Sequence, residues 1–226
     1  MPESSTPSPT VLPRPDLTSA GIDSDRRTRR KINRQSLPPY QLNIQAFLSR
    51  GRLYDVFHAH LQTYPTFGQP VNMPCVAKMV DLDCFSPTVV SSPYTYTASE
   101  ASAAVLREVE LYNHHLVHLP RWTVPEFLGC WGTNGPGLQS FVMVLEDVGT
   151  AKRIDELDAG LKTAILELYE RLHAYGIIHG DVQLRHICFH KDRPRLIDFE
   201  AASYVGPGNP GLNEEMDKVL TLLQLA

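Results

Sequence analysis

The stretch from Ile177 to Glu200, IIHGDVQLRHICFHKDRPRLIDFE, constrains this chain of 226 residues more than any other. An apolar pair, Ile177 and Ile178, leads into His179-Gly180-Asp181, and His186 follows soon after. Residues 187–189 read as a short strand, and Lys191-Asp192-Arg193-Pro194 as a turn. Leu196 and Ile197 then form a second strand that ends on Asp198-Phe199-Glu200. A short hairpin therefore tethers two carboxylates, Asp181 and Asp198, and faces both toward one cleft.

Upstream, Met73-Pro74-Cys75-Val76-Ala77-Lys78-Met79-Val80 is an apolar strand with one lysine inside it. A charge in such a run must snorkel outward or meet an anion. A helix is expected to start at Thr97, which forms a capping box with Glu100, and to have ended by Pro120. Val105, Val109, Tyr112 and Leu116 recur at helical spacing and mark one buried stripe. At about 100° per residue, Glu108 lies on the flank of that stripe, roughly 70° from its centre, while Glu110 points roughly 130° away. Glu108 is therefore the glutamate able to reach Lys78. His114, His115 and His118 crowd the helix end, yet no acid or thiol stands at a ligand spacing from them, so a solvated end with one buried imidazole is expected.

Alternating residues at 42–48 and 54–61 flank Ser49-Arg50-Gly51-Arg52-Leu53 and predict a hairpin. Residues 125–131 and 141–145 predict two more strands across a glycine-rich turn, and 83–97 a Ser, Thr and Pro-rich connection. Leu161, Ile165, Leu168, Leu172 and Tyr175 share a helical face that Gly176 stops, and residues 214–225 predict a last amphipathic helix.

The order and spacing of Lys78, Glu108, Asp181 and Asp198 resemble the catalytic core of the protein-kinase superfamily. There His-Arg-Asp precedes a hairpin that ends in Asp-Phe-Gly. Gly180 in place of the Arg is similar to the RIO-type and aminoglycoside-phosphotransferase-type branches, and the short chain to small kinase-like proteins met in fungal genomes. The resemblance covers residues 40 to about 220. It implies an α+β, two-lobed kinase-like fold: a five-stranded antiparallel N-lobe sheet with one helix over residues 40–147, hinged to a shortened helical C-lobe over 148–226. It also implies an ATP-dependent phosphotransferase that uses ATP with Mg²⁺ and passes the γ-phosphate to a hydroxyl of a protein or small molecule. Lys78 would hold phosphates, Glu108 orient Lys78, Asp181 position the acceptor hydroxyl and Asp198 bind the metal. The residue types suit that chemistry, because phosphoryl transfer needs one carboxylate at the attacking hydroxyl and another on the metal that neutralises phosphate charge.

By the same resemblance, the first hairpin is the glycine-rich loop over the nucleotide. Gly51 is its middle glycine, Ser49 and Tyr54 stand at the other two glycine positions, and Val56 is the closing valine. Val76 and Leu145 would line the pocket, and the Glu146 carbonyl and Val148 amide would bond the adenine edge. His186 stands where the superfamily has a metal-binding Asn. It would either ligate a softer ion such as Mn²⁺ or hydrogen-bond the catalytic loop. Asp217 would support the backbone of His179-Gly180-Asp181. The departures at Ser49, Tyr54 and His186, with the short C-lobe, imply an alternative, a pseudokinase acting as a nucleotide-binding or protein-interaction module.

Composition bounds compartment and partners. Residues 1–39 carry seven Arg or Lys against four acids, so a net charge of -4 for the chain leaves -7 on the remainder, and an acidic body argues against general nucleic-acid binding. That segment also holds seven of the eighteen prolines and no aromatic residue, which predicts disorder. Its basic run, Arg26 to Lys31, reads as a nuclear-import signal or a solvated tether. Cys75, Cys84, Cys130 and Cys188 are scattered, as in ordinary intracellular chains, and suggest neither zinc nor disulfides. No apolar run approaches about 18 residues. A soluble, cytoplasmic or nuclear chain with no membrane partner is expected.

Overall fold

The computed structural model describes residues 40–63, 69, 71–85, 96–135 and 138–225. The expected disorder of 1–39, the basic run within it, and the connection at 86–95 lie outside the described residues.

The chain is α+β. In order along it run β1 (Tyr40–Arg50), β2 (Asp55–Thr63), β3 (Val71–Asp81), α1 (Ala98–His114), β4 (Phe127–Gly135) and β5 (Leu138–Glu146). The five strands form one antiparallel sheet in the order β1-β2-β3-β5-β4. After it come β6 (Thr150–Ala151), α2 (Ala159–Ala174), β7 (Ile177–Ile178), β8 (Ile187–His190), β9 (Arg193–Leu196), β10 (Ser203–Tyr204) and α3 (Pro210–Leu222). Among the described residues, no helix is long and apolar enough to cross a membrane.

Alternation along β3 explains how the sheet is used. Cys75 and Ala77, both fully buried, belong to an outer cluster with Leu42, Leu61, Val142 and Val144. Val80 and Lys78 project from the other side, where Val80 joins the main core with α1. Tyr40 on one edge strand and Trp131 on the other have ring centroids 6.0 Å apart, so the sheet coils strongly enough for its two edges to meet.

The α1 capping box forms as expected: the Thr97 hydroxyl accepts from the Glu100 amide, and the Glu100 carboxylate accepts from the Thr97 amide. Its buried face is rotated from the expected one. It comprises Ala101, Ala104, Val105, Glu108, Leu111 and Tyr112, while Val109 is only partly buried. Small alanines carry the stripe N-terminally, which an apolar count weighted to large residues overlooks. Glu108 consequently lies in the middle of the buried face and not on its flank.

α2 buries Ile165, Leu168, Tyr169 and Leu172. Tyr175, expected on that face, is the residue after the helix and is 44% exposed, and Tyr169 fills the core position instead. Gly176 stops the helix with φ +72°, where a Cβ would stand 2.4 Å from the Gly206 backbone. α3 starts at Pro210 and not at 214, because the Asn209 side chain accepts from the Gly211 amide and proline suits the first turn. The hairpin between β8 and β9 turns on Lys191 and Asp192, whose φ values of 50° and 60° are those of a type I′ turn.

The two halves share one core. Tyr112 of α1 stacks on Phe127 of β4 at 5.4 Å and meets the edge of Phe199 at 5.8 Å. Phe199 is 1% exposed, and burying such a ring contributes about 2–3 kcal/mol. The Leu196 amide donates to the Thr123 carbonyl at 3.0 Å, and Arg195 bonds the Glu146 carboxylate across the same seam.

Candidate functional site

Lys78 reaches from β3 across the core to α1. Its Nζ donates to Glu108 Oε1 at 2.8 Å and Oε2 at 3.1 Å, and to Asp198 Oδ1 at 2.8 Å. Lys78 is 5% and Glu108 1% exposed. Burial opposes the lysine's charge, but Glu108 and Asp198 together outweigh it and hold the ammonium well above its ordinary pKa. Burial raises the Glu108 carboxyl, which Lys78 only partly offsets. The Tyr54 ring covers the ammonium at 4.2 Å from its centroid.

Asp198 sits at φ 65° and ψ 70°, left-handed backbone that costs a non-glycine residue about 1–2 kcal/mol. Strain of this kind persists where surrounding contacts over-determine it, and here Lys78 fixes the carboxylate. Burial works against the Asp198 charge, yet Lys78 and His186 beside it bring its pKa below the ordinary value.

The His179-Gly180-Asp181 turn is held from three sides. His179, fully buried, donates from Nε2 to the Ile197 carbonyl at 2.9 Å, which leaves Nδ1 to accept from the Asp181 amide at 3.4 Å. Gly180 has φ +82°, and a Cβ there would stand 2.2 Å from the Ala201 carbonyl oxygen, so this backbone path needs glycine. The Glu215 carboxylate accepts the amides of His179 at 2.9 Å and Gly180 at 2.7 Å, and the His173 ring nitrogen at 2.8 Å. Those bonds outweigh burial and lower the Glu215 pKa.

No family model and no curated protein matches this chain.

Five of the residues singled out in the sequence come together. Lys78 joins Glu108 to Asp198, and His186 stands between the two aspartates, its Nδ1 3.6 Å from Asp181 Oδ2 and its Nε2 3.3 Å from Asp198 Oδ2. The His186 ring bonds its own loop: Nδ1 donates to the Asp181 carbonyl at 3.0 Å, and Nε2 accepts from Arg185 Nε at 3.0 Å. Among the described residues, no three His, Cys, Asp or Glu side chains converge as a metal-ligand set. Asp181 is bonded by Gln183, and its side chain remains 37% exposed.

The first hairpin and the end of β5 have their own occupants. Gly51 is exposed, and its amide closes the turn onto the Tyr54 carbonyl at 2.8 Å. Val56 pairs with Lys78 across β2 and β3; Val56 and Val76 are half-buried, and Leu145 and Val148 are buried. The Glu146 amide donates to the Glu126 carbonyl at 2.9 Å, and its carboxylate bridges to Arg195 and the Glu126 amide.

One expectation is corrected here. Asp217 does not support the His179-Gly180 backbone, because it lies on the exposed side of α3. Glu215 does so, sharing the inner face with Leu212 and Val219. The periodicity argument that selected Glu108 on α1 selects Glu215 here once the start of α3 is known. Arg52, Tyr96 and Glu200 also gather at the site, and no sequence signal marked them.

Proposed function

We propose that this chain is an ATP-dependent phosphotransferase with a two-lobed protein-kinase-like fold, its N-lobe at 40–147 and its C-lobe at 148–226, passing the γ-phosphate to a hydroxyl of a protein or small molecule. The carrying observation is the lysine at the centre of the site. Lys78 is buried, charged and shared at 2.8 Å between Glu108 and Asp198. A structural ion pair would be complete with one carboxylate; a second, partly exposed one on strained backbone supports a role toward a ligand.

In this reading Glu108 keeps the ammonium aimed and Lys78 meets phosphate oxygens. Asp181 is the base-side carboxylate, half-exposed at the loop end, able to orient an acceptor hydroxyl and take its proton. The donor set fits Mg²⁺, which is held by one or two carboxylates plus phosphate oxygens and water, and Asp198 supplies such a hard oxygen at a side chain 35% exposed. When bound, the metal would neutralise charge on the phosphates. His186 keeps the two aspartates apart and fixes the loop carbonyl, and Glu215 holds the loop amides.

A second reading rests on a different observation. Tyr54 is 3% exposed and its ring covers Lys78, which favours a pseudokinase acting as an interaction module. Thermal unfolding of the chain with and without ATP and Mg²⁺ separates the two. At a ligand concentration of about 100 Kd the phosphotransferase reading expects stabilisation by about 2.7 kcal/mol, roughly 5–10 °C in Tm for a chain of this size. Absence of any shift at millimolar ATP removes that reading and leaves the interaction module.

A further inference from the structure

We propose that the turn between β1 and β2 is a latch that shuts the Lys78–Asp198 site, with Glu200 as its catch. The proposal rests on the nucleotide reading only in naming what the shut site would admit.

The catch is a closed triangle of side chains. Glu200 Oε1 accepts from Tyr96 Oη at 2.6 Å and from Arg52 Nη2 at 3.1 Å, and Arg52 Nη2 also donates to Tyr96 Oη at 3.1 Å. The Arg52 guanidinium lies 5.0 Å from the centroid of the Tyr96 ring. Glu200 is well shielded, with a side chain 13% exposed, whereas Arg52 is 51% exposed and opens to solvent. Three separate segments meet there: the β1–β2 turn, the residue before the α1 cap, and the short 3₁₀ turn Phe199–Ala201 that follows Asp198.

What the latch holds down is the rest of the turn. Arg52 is followed by Leu53 and Tyr54, both in the main core, with the Tyr54 ring over the Lys78 ammonium. Glu108 and Asp198 take the other sides of Lys78, so an anion can reach Nζ only by displacing Tyr54 or Asp198. Arg52 is attached to the first of these and Glu200 to the second. Release of their bond therefore frees both at once. An exposed ion pair alone shifts an equilibrium little, but a shielded carboxylate with two donors and a flanking ring belongs at the upper end of that range, about threefold to tenfold in population.

The test uses the full chain and two readouts, amide exchange over residues 51–54 and calorimetric binding of ATP with Mg²⁺. Arg52→Ala and Glu200→Ala are compared with wild type. Arg50→Ala is the control, since Arg50 lies in the same hairpin but, among the described residues, its side chain bonds Asp55 across it and not Glu200. Arg52→Ala and Glu200→Ala are expected to speed exchange at 51–54 about threefold to tenfold and to tighten ATP by a similar factor, because a site open only part of the time binds weaker in proportion. Arg50→Ala should change neither. Unchanged exchange in both catch variants overturns the latch, and so does ATP binding as tight in wild type as in them. Faster exchange in both, with ATP bound by none of the proteins, upholds the latch and removes the nucleotide reading instead.

Discussion

At Gly180 the need for glycine is measurable. Positive φ and a Cβ position 2.2 Å from the Ala201 carbonyl oxygen mean that Gly180→Ala must move backbone on one side of the loop or the other. We expect a loss of about 2 kcal/mol or more in urea unfolding with an unchanged m-value. A second residue-scale prediction concerns acid. Glu215 has a folded pKa below its unfolded one, so the unfolded chain binds the proton first as pH falls. Its contribution is therefore complete above the ordinary carboxylate range and is lost as pH drops through the folded value. Glu215→Gln should cost about 1–3 kcal/mol at neutral pH, since an amide cannot accept all three donors, and should flatten the acid limb of the stability profile. An acid limb identical to that of wild type would mean that Glu215 does not hold the loop through its charge.

At the scale of elements, β3 and α1 are joined by a buried ion pair, and one partner cannot be removed cheaply. Lys78→Met leaves Glu108 nearly inaccessible with no ammonium beside it, so it must take up a proton or stay unpaired, and we expect destabilisation of about 3–5 kcal/mol. Lys78→Met with Glu108→Leu should recover much of that loss, because a well-packed apolar pair is often as stable as a buried ionic one. A thermodynamic cycle over the two sites by chemical denaturation reads the coupling directly. If Lys78→Met alone melts like wild type, the pair contributes nothing to stability, and its burial needs another cause. The cycle also matters for function, since lost activity at Lys78 means little until the variant is known to be folded.

At the scale of the molecule, the site exists only where the two halves meet, and the two aspartates should respond differently. Asp198 is tied to Lys78, whereas Asp181 is bonded within its own loop by Gln183. On the proposed roles, Asp181→Asn should abolish phosphoryl transfer yet keep ATP and Mg²⁺ binding, and Asp198→Asn should lose both. Equal loss of binding in the two variants would show that the roles are wrongly divided. Thermal shift for binding and phosphate release for turnover are sufficient measurements.

Local signals in the sequence determined most of the elements. The alternation of β1 to β5, the Thr97–Glu100 cap, the Gly176 stop and the hairpin ahead of Asp198 each depend on residues a few positions apart, where periodicity and backbone preference act directly. Lys78 and Glu108 were legible as partners for the same reason, since an unpaired charge in an apolar strand and an acid near an apolar helix face need each other. Tertiary packing decided what those rules do not reach. The Ala101 and Ala104 positions turned α1 so that Glu108 became central, and the early cap at Asn209 set the phase of α3 so that Glu215, not Asp217, faced the loop. The contact of Arg52 with Glu200 spans 148 positions and that of Lys78 with Asp198 spans 120. No local preference encodes such pairs. They arise because a coiled sheet and a helical half share one apolar core, and burial of that core fixes which polar groups are left facing one another at its edge.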